Sequence, residues 1–438
     1  RTEVTGEIQL ERYTIEKIVF ESRPGYFVTA NRYLPKTKAP WPGAVISCGH
    51  SLLGKAYPDY QALAARLALG GFAVILYDPV AQGERVEYPE HPGNCVREHI
   101  MSGKRQLLLG SSQGSWMAWD GIRALDCLLE NKNVDPGRLA AIGQSGGGTL
   151  TSTLLALDER YAFGVPSCFI TDFKSNLHNE LPTDSEQIPS GAISQGLELY
   201  DLLSASAPRT ILIAAVENDF FDLRGTKRAF AFLKKLYAAF GKGADIRLHV
   251  SPGSHGIGAE ARTAVGEFLF KKARVRSSVR EEEIHIFSES ELWVVPGGNV
   301  LRARAGLRSL DLLKSEFLEN QKSWRGFDAS VLRKCLGLKK TPSALPEIRV
   351  LRTHHIAGRL FSRFAVNTER DIQALVKVLC ESNQKPLFQF PKHHGQNGCA
   401  KLYVGEGFLE NELSGTNAFS EELKKMFPIS GGENIFAV

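Results

Sequence analysis

The residues RLAAIGQSGGGTL, Arg138 to Leu150, put one serine at the apex of a glycine-walled turn between an apolar strand and the start of a helix. A turn this tight leaves no room for side chains two residues before and after the serine, and Gly143 and Gly147 provide that room. The pattern is G-x-S-x-G, in which a strained strand-to-helix turn exposes the serine oxygen. Ser145 is therefore the candidate nucleophile, and the strand and helix around it favour an α/β chain.

The first 275 residues alternate buried strands with helices. A strand at Gly43 to Cys48, a helix over Tyr60 to Ala68 and a strand at Phe72 to Tyr77 form a strand-helix-strand unit, which requires parallel strands. We therefore expect a mostly parallel sheet with helices on both faces. The pattern continues with a helix at Trp116 to Leu129 and further strands at Phe163 to Ile170, Thr210 to Val216 and Ile246 to Val250.

Two stretches interrupt this alternation. Residues 79–110 have few periodic apolar positions, and we expect a long loop there. Residues 171–195 are a polar excursion and are predicted to form a cap or a substrate loop.

A serine is a weak nucleophile at neutral pH unless a histidine accepts its proton, and that histidine needs a carboxylate to fix its tautomer. Asp219 follows the strand that ends near Val216, and His255 follows the strand that ends near Val250. The carboxyl ends of parallel strands meet at one edge of a sheet, so both residues belong beside Ser145. The sequence leaves three neighbours as rivals: Asp222 and Glu217 for the acid, and His249 for the histidine.

The tetrahedral intermediate of acyl transfer also needs two hydrogen-bond donors for its oxyanion. The backbone amide of Gly146, directly after the serine, is the first candidate. The turn Gly49 to Ser51 should supply the second, and we favour the amide of Ser51 over that of His50.

A second G-x-S-x-G occurs at Gly110 to Gly114 and makes Ser112 a rival nucleophile. Only Leu107 to Leu109 could form the strand before it. Choosing Ser112 would also separate every later strand from its expected partner, so Ser145 is preferred.

The chain of 438 residues is long for one core, and a polar, charged stretch suggests two domains. We predict a catalytic domain over 1–275, a linker over 276–285 and a partial second module over 286–438. The second part repeats features of the first. The segment Val366 to Leu379 resembles Phe20 to Pro35, and Pro386 to Gly395 resembles GAVISCGH at residues 43–50. It contains no serine turn and is expected to be non-catalytic.

The composition limits the classes of binding partner and cofactor that we expect for this chain. The formal net charge is only +5 and the basic residues are scattered, so no nucleic-acid surface is predicted. Seven cysteines without C-x-x-C spacing argue against a disulfide framework and a structural zinc site. The pairs His354-His355 and His393-His394 lack H-E-x-x-H spacing and are read as loop histidines, so we expect neither a metal nor a cofactor. No apolar run reaches the length of a membrane span, while compartment and oligomeric state stay open.

Several segments together resemble the acetyl xylan esterase-like and dienelactone hydrolase-like branch of the α/β hydrolases, which is related to the prolyl oligopeptidase catalytic domain. The resemblance implies the α/β-hydrolase fold, the triad Ser145, Asp219 and His255, and an oxyanion donor in the Gly49 to Ser51 turn. Two departures affect loop geometry: Asp222 replaces a usual proline, and Ala81 a usual glycine. The matching segments are CGHSLLGK (48–55), YDPVAQGER (77–85), WDGIRALDCL (119–128), VDPGRLAAIGQSGGGTL (134–150), DSEQ (184–187), APRTILIAAVENDFFDLRGT (207–226) and GSHG (253–256).

These residues predict a serine carboxylesterase that acts on small-molecule acyl esters, with acetylated carbohydrates among the candidate substrates. A prolyl oligopeptidase-like peptidase is the second hypothesis, although the sequence has no repeats of 40 to 50 residues that would form a propeller. A binding or scaffold protein on an inactive hydrolase fold is the third.

Overall fold

The computed structural model describes residues 2–90, 95–179, 184–187, 189, 191–323, 329–335, 347–356, 359–369, 372–381 and 401–403. The chain divides into two compact units, Arg1–Trp324 and Arg325–Val438. All the candidate triad and oxyanion residues lie in the first unit.

Nine strands of the first unit form one sheet: β1 (Thr2–Gln9), β2 (Tyr13–Arg23), β3 (Tyr26–Pro35), β4 (Trp41–Ser47), β5 (Ala73–Tyr77), β6 (Val134–Gln144), β7 (Tyr161–Ser167), β8 (Thr210–Asn218) and β9 (Ile246–Ser254). Their order across the sheet is β1-β2-β3-β5-β4-β6-β7-β8-β9. The strands β1 to β3 are antiparallel to one another, and β3 is antiparallel to β5. From β5 to β9 all neighbours are parallel, which confirms the predicted mostly parallel sheet.

Helices cover both faces of this sheet. Neighbouring residues of β4 show the alternation: Ile46 packs in one core with the helices α1 and α8, and Val45 packs in the other with α3 and α7. No described helix is long and apolar enough to cross a membrane. The helices of the first unit are α1 (Pro58–Leu69), α2 (Cys95–Leu108), α3 (Gln113–Leu129), α4 (Gly146–Leu157), α5 (Phe173–His178), α6 (Asp201–Ala205), α7 (Leu223–Ala239), α8 (Ala259–Lys272), α9 (Glu289–Leu292), α10 (Val300–Arg304) and α11 (Ser309–Lys322).

The parallel strands bring the candidate residues to one edge. The strand β4 ends at Ser47, β6 at Gln144, β8 at Asn218 and β9 at Ser254. Each is followed within three residues by a candidate: His50 after β4, Ser145 after β6, Asp219 after β8 and His255 after β9. The chain therefore assembles its polar groups at the carboxyl edge of the sheet, where α/β proteins bind their ligands.

The predicted loop over 79–110 is wrong, because α2 occupies Cys95–Leu108. The buried face of α2 is largely polar and includes His99, Ser102 and Gln106, while Leu108 is exposed. A helix whose inward face is polar has no apolar stripe, so its period of 3.6 residues could not be seen in the sequence.

The predicted linker over 276–285 is also wrong. Glu281 in the middle of it forms ion pairs with Arg66 of α1, at 2.5 Å, and with Arg262 of α8. Both arginines are buried, so the charged run is part of the first unit's surface packing. It does not connect two domains.

Residues that follow this segment also pack on the first unit. Leu292 lies in the main core, and Val294, Val295 and Val300 pack against Val19 of β2. The boundary therefore falls at Trp324, and residues 286–324 belong to the first domain. The prediction that a second module begins at residue 286 is corrected accordingly.

The described part of the second unit is a helix, α12 (Ala329–Cys335), and a four-stranded antiparallel sheet in the order β10-β11-β12-β13. Val366 to Leu379 lies on the β11-β12 hairpin, as Phe20 to Pro35 lies on the β2-β3 hairpin. The echo of GAVISCGH at Pro386 to Gly395 falls outside the described residues. The strands are β10 (Ile348–Ile356), β11 (Arg359–Glu369), β12 (Ile372–Glu381) and β13 (Lys401–Tyr403).

Candidate active site

Ser145 is the single residue between β6 and α4 and has a positive φ, with φ 60° and ψ −124°. A positive φ is a strained backbone conformation for a residue other than glycine. Such strain at the serine is typical of a nucleophile turn. The flanking glycines are required because a side chain at either position would clash with a backbone oxygen. A Cβ on Gly143 would lie 2.2 Å from the carbonyl oxygen of Gly147, and a Cβ on Gly147 would lie 2.0 Å from the carbonyl oxygen of Ser47. The turn predicted from the sequence is present as expected.

Asp219 and His255 are brought together across β8 and β9. The Oδ1 atom of Asp219 lies 2.8 Å from Nδ1 of His255, and it also accepts the backbone N–H of Phe221 at 3.0 Å. The Asp219 side chain is buried, so its attraction for the Nδ1 proton is little screened. The pair has the geometry of a carboxylate that orients a general base.

The rival acids and the rival histidine have other roles. Asp222 caps α7 through the N–H of Arg224 at 2.7 Å and forms an ion pair with that arginine. Glu217 is exposed. His249 lies on β9 with its Nε2 3.0 Å from the hydroxyl of Ser251.

The other ring nitrogen of His255 is occupied by a residue that the sequence did not single out. Its Nε2 lies 2.9 Å from Nε2 of Gln144, the residue before the serine. Because Asp219 accepts the Nδ1 proton, Nε2 is the acceptor and the Gln144 amide donates to it. Among the described residues, none is hydrogen-bonded to the Ser145 hydroxyl, so the serine and the histidine are not yet paired.

The expected oxyanion donor Ser51 does not fit. Its backbone N–H donates to the side-chain oxygen of Gln82 at 2.6 Å, and that of Gly49 donates to the Tyr60 hydroxyl at 2.9 Å. The backbone N–H of His50 has no acceptor among the residues that the structure describes. Gly146 is the first residue of α4, so its N–H has no intrahelical acceptor either. The free donors are therefore those of His50 and Gly146, and the preference for Ser51 is corrected.

The His50 side chain belongs to a buried cluster that sequence reasoning missed. Its Nε2 lies 2.6 Å from Oδ2 of Asp184, and the same oxygen lies 2.5 Å from Nδ1 of His99 on α2. Glu186 is buried beside them, with Oε1 3.5 Å from the His50 nitrogen and without a hydrogen-bond partner among the described residues. The segment DSEQ, residues 184–187, contains Asp184 and Glu186 and was the sequence signal that could have indicated this cluster. His99 lies within residues 79–110, which were predicted to form a loop.

The ionisable groups of this cluster differ in how readily each one carries a charge. His99 Nε2 lies 2.9 Å from the Val80 carbonyl oxygen, which can only accept, so His99 donates from both nitrogens and is an imidazolium. Although burial opposes the charge, the hydrogen bond to Asp184 raises the pKa of His99 to about 9. The two histidines hold the pKa of Asp184 well below its ordinary value, while burial raises the pKa of Glu186.

The donor atoms of His50, His99, Asp184 and Glu186 all lie within 4.8 Å of one another, which is close enough to test a metal site. In a tetrahedral zinc site, metal-ligand distances of about 2.0–2.1 Å separate neighbouring donors by about 3.3 Å. The two nitrogen-oxygen distances at Asp184 are 2.6 and 2.5 Å, which are those of charged hydrogen bonds. The side chains as placed fit a proton-sharing cluster and do not fit a metal ion.

A cavity of about 250 Å³ begins at this cluster and runs along α4. Of its polar groups, Gln187 donates to Thr149, and Glu198 accepts the backbone N–H of Phe173. Glu186 is the member whose Oε1 is left without a partner, and a Cβ on Gly146 would lie 2.2 Å from that oxygen. The cavity is lined by Thr149, Thr153, Phe169, Phe173, Glu186, Gln187, Pro189, Ala192, Leu197, Glu198, Leu199, Asp201, Leu202 and Ala205.

The remaining candidates have structural roles or lie elsewhere. Ser112 caps α3 in a reciprocal capping box with Ser115, as expected for a helix start. His354 and His355 lie on β10, in the strand and not in a loop. His393 and His394 are outside the described residues. The thiols of Cys48, Cys95, Cys127 and Cys168 are free and buried.

Residues 108–270 match the sequence model of the prolyl oligopeptidase family. Putative hydrolase YtaP of Bacillus subtilis (strain 168) is 24% identical over 283 residues, which are 62% of this chain and 90% of YtaP. The methylesterase BT1017 has a similar structure, with a TM-score of 0.60 and 21% identity over 74% of this chain and 70% of that one. An acetyl xylan esterase from Paenibacillus sp. R4 gives a TM-score of 0.42 and 20% identity, over 62% of this chain and 88% of its own. The chain has the α/β-hydrolase fold, and the predicted resemblance is confirmed at that level.

Proposed function

We propose that the protein is a serine carboxylesterase in which Ser145 is the nucleophile, His255 the general base and Asp219 the residue that orients the base. The observation that carries the proposal is the hydrogen bond of 2.8 Å between Asp219 and His255, at the sheet edge where Ser145 stands in its strained turn. A nucleophile, a base and an orienting acid on three separate strand ends form the arrangement that covalent acyl transfer needs.

The reaction follows from these positions. His255 Nε2 accepts the proton of the Ser145 hydroxyl while the serine oxygen bonds to the ester carbonyl carbon. The amides of Gly146 and His50 donate to the resulting oxyanion. His255 then gives the proton to the departing alkoxide, which leaves as the alcohol. In the second half of the reaction, His255 accepts a proton from water while the water oxygen bonds to the acyl carbon. The bond to Ser145 then breaks, the serine oxygen takes the proton back from His255, and the acid is released.

An ester is favoured as substrate by the structural likeness to a methylesterase. A serine peptidase of the prolyl oligopeptidase type is the second candidate, because residues 108–270 match that family. The same triad would serve both, so the leaving group has to be tested directly.

The cavity along α4 is assigned to the acyl group. It starts at Glu186, whose oxygen lies beside Gly146 and therefore beside the proposed oxyanion donor. Its wall is mainly apolar, with phenylalanine and leucine side chains, and a volume of about 250 Å³ accommodates more than an acetyl group. We therefore expect acyl chains somewhat longer than acetyl to be accepted.

The decisive experiment is hydrolysis of chromogenic acetyl and butyryl esters by the wild type, by Ser145→Ala and by Ser112→Ala. Ser112 is the matched control because it stands in the other G-x-S-x-G sequence. We expect Ser145→Ala to lower kcat by at least about 10³-fold and Ser112→Ala to leave it within about threefold. A wild type without esterase activity, or an active Ser145→Ala variant, would overturn the proposal. A proline-containing peptide anilide as a parallel substrate separates esterase from peptidase.

A further inference from the structure

Gln144 connects the proposed base to the proposed oxyanion turn through a buried chain of hydrogen bonds. Its amide nitrogen lies 2.9 Å from His255 Nε2, and its amide oxygen accepts the Tyr60 hydroxyl at 2.8 Å. The Tyr60 oxygen in turn accepts the backbone N–H of Gly49 at 2.9 Å. Gln144 and Tyr60 are both buried, so their bond and the bond from Gly49 to Tyr60 are shielded from solvent, while the His255 end of the chain is part-buried.

Close packing leaves this chain little freedom. A Cβ on Gly49 would lie 2.4 Å from the backbone oxygen of Gln144, 2.8 Å from the Tyr60 hydroxyl and 2.9 Å from the Ser145 Cβ. The turn that carries His50 is therefore pressed directly against the serine and against the tyrosine that holds Gln144. A change at one end of the chain displaces groups at the other.

Gln144 also competes with the serine. In the tautomer that Asp219 imposes, His255 Nε2 has a single lone pair in the ring plane, and the Gln144 amide uses it. Ser145 can deliver its proton only to that same lone pair. The bond between Gln144 and His255 must therefore break before the nucleophile is activated.

We propose that Gln144 is a positioning residue that holds His255 unprotonated and correctly oriented in the free enzyme and releases it to Ser145 when substrate binds. This inference rests on the proposed function. It adds an exchange of hydrogen-bond partners on Nε2 before acylation and names Tyr60 as the group that keeps the Gln144 amide turned toward the base.

The hydrogen bond has a direct consequence for protonation. A donor on Nε2 can be accommodated only by the neutral imidazole, because the imidazolium carries its own proton there. Removing the donor therefore favours protonation of His255 and shifts the acid limb of the kcat/KM profile to higher pH. Around His255 the other facing groups are Asp219, the rings of Phe220 and Phe221, and Cys168. Burial raises the pKa of the Cys168 thiol to about 12, so that thiol stays neutral across the profile.

The experiment compares the pH profiles of kcat/KM for an activated acyl ester in the wild type, Gln144→Met, Gln144→Glu and Tyr60→Phe. Methionine has a similar length and no donor. We expect its acid limb to move upward by about half a pH unit or more, with the plateau at high pH retained or raised because the competitor of Ser145 is gone. Tyr60→Phe should move the limb in the same direction by less. Gln144→Glu, with a carboxylate beside Nε2, should move it furthest.

A purely structural role gives a different result, in which kcat falls equally at every pH and the limb does not move. That outcome, with folding checked by circular dichroism, would overturn the inference. Labelling of the wild type, Gln144→Met and Ser145→Ala with a fluorophosphonate keeps the two proposals apart. If Ser145→Ala still hydrolyses the ester and Ser145 is not labelled, the proposed function fails. If Ser145 is labelled and the acid limb is unmoved, only the role of Gln144 fails.

Discussion

The Nδ1 atom of His99 lies 2.5 Å from Oδ2 of Asp184, and both side chains are buried beside the turn that carries His50. Because the Val80 carbonyl accepts a hydrogen bond from the other ring nitrogen, His99 is an imidazolium held between a carboxylate and a carbonyl. A buried charge is tolerated when it is fully hydrogen-bonded, whereas the same charge without its partner is strongly destabilising. The cluster therefore connects pH with the stability of the oxyanion turn.

We predict a loss of stability at alkaline pH from His99. Its pKa is raised to about 9 in the folded protein, above the value of about 6.5 expected for an unfolded chain. The contribution is therefore complete below about pH 6.5 and lost as the pH rises through 9, at no more than about 1.4 kcal/mol per pH unit. Thermal unfolding of the wild type and of His99→Gln from pH 6 to 10 checks this. The difference between their Tm values should shrink with rising pH, and a constant difference would contradict the charged pair.

Asp184 gives a prediction of opposite sign. Its two histidine partners lower its pKa, so its contribution is present above about pH 4 and lost as the pH falls toward the lower pKa of the folded state. Asp184→Asn should destabilise the protein at pH 7 by more than at pH 3, and it should also reduce esterase activity by releasing His50. Asp245→Asn is a matched control, because Asp245 is a half-buried carboxylate that pairs with Lys272. Comparable losses in both variants would count against the cluster.

Asp219→Asn should lower kcat by about 10³ to 10⁴-fold, because an amide no longer selects the Nδ1–H tautomer of His255. Asp222→Asn is the control: it affects the cap of α7 and the ion pair with the exposed Arg224, and should cost at most about 1 kcal/mol of stability with little change in kcat. The measurement is steady-state hydrolysis of one ester by both variants at the pH optimum of the wild type. If Asp222→Asn were the more damaging change, the assignment of the acid would be wrong.

The parts of the site that the sequence predicted are those set by local pattern and strand order. The turn at Ser145 needs glycines at fixed offsets, the strand before Asp219 is an apolar run, and the strand before His255 alternates apolar and polar residues. What could not be predicted depends on side chains far apart in sequence. The amide of Ser51 is taken by Gln82, 31 residues later. His99 escaped notice because α2 buries a polar face, a pattern without hydrophobic periodicity.

The acyl cavity gives a prediction about specificity. Ala192 lines the cavity and is buried, whereas Ser194, two residues later, is exposed and is not part of its wall. Ala192→Phe should fill the cavity and lower kcat/KM for a hexanoyl ester by at least about tenfold relative to an acetyl ester, since even one methylene in an apolar pocket is worth about 1–3 kcal/mol. Ser194→Phe should leave that ratio unchanged. Equal loss for both acyl lengths in Ala192→Phe would show that the acyl group binds elsewhere.

The corrected domain boundary predicts where the chain can be shortened. Glu84 is buried, forms an ion pair with Lys55 at 2.5 Å, and accepts the backbone N–H groups of Val294 and Val295, each at 2.9 Å. A chain ending at residue 285 removes those donors and uncovers Val19, so it leaves a buried carboxylate partly unsatisfied and an apolar patch exposed. We expect such a chain to be insoluble or to unfold at a Tm at least about 10 °C lower. A chain ending at residue 324 should keep both its Tm and its esterase activity, because it retains the whole first unit. Equal stability of the two shortened chains would return the boundary to residue 285.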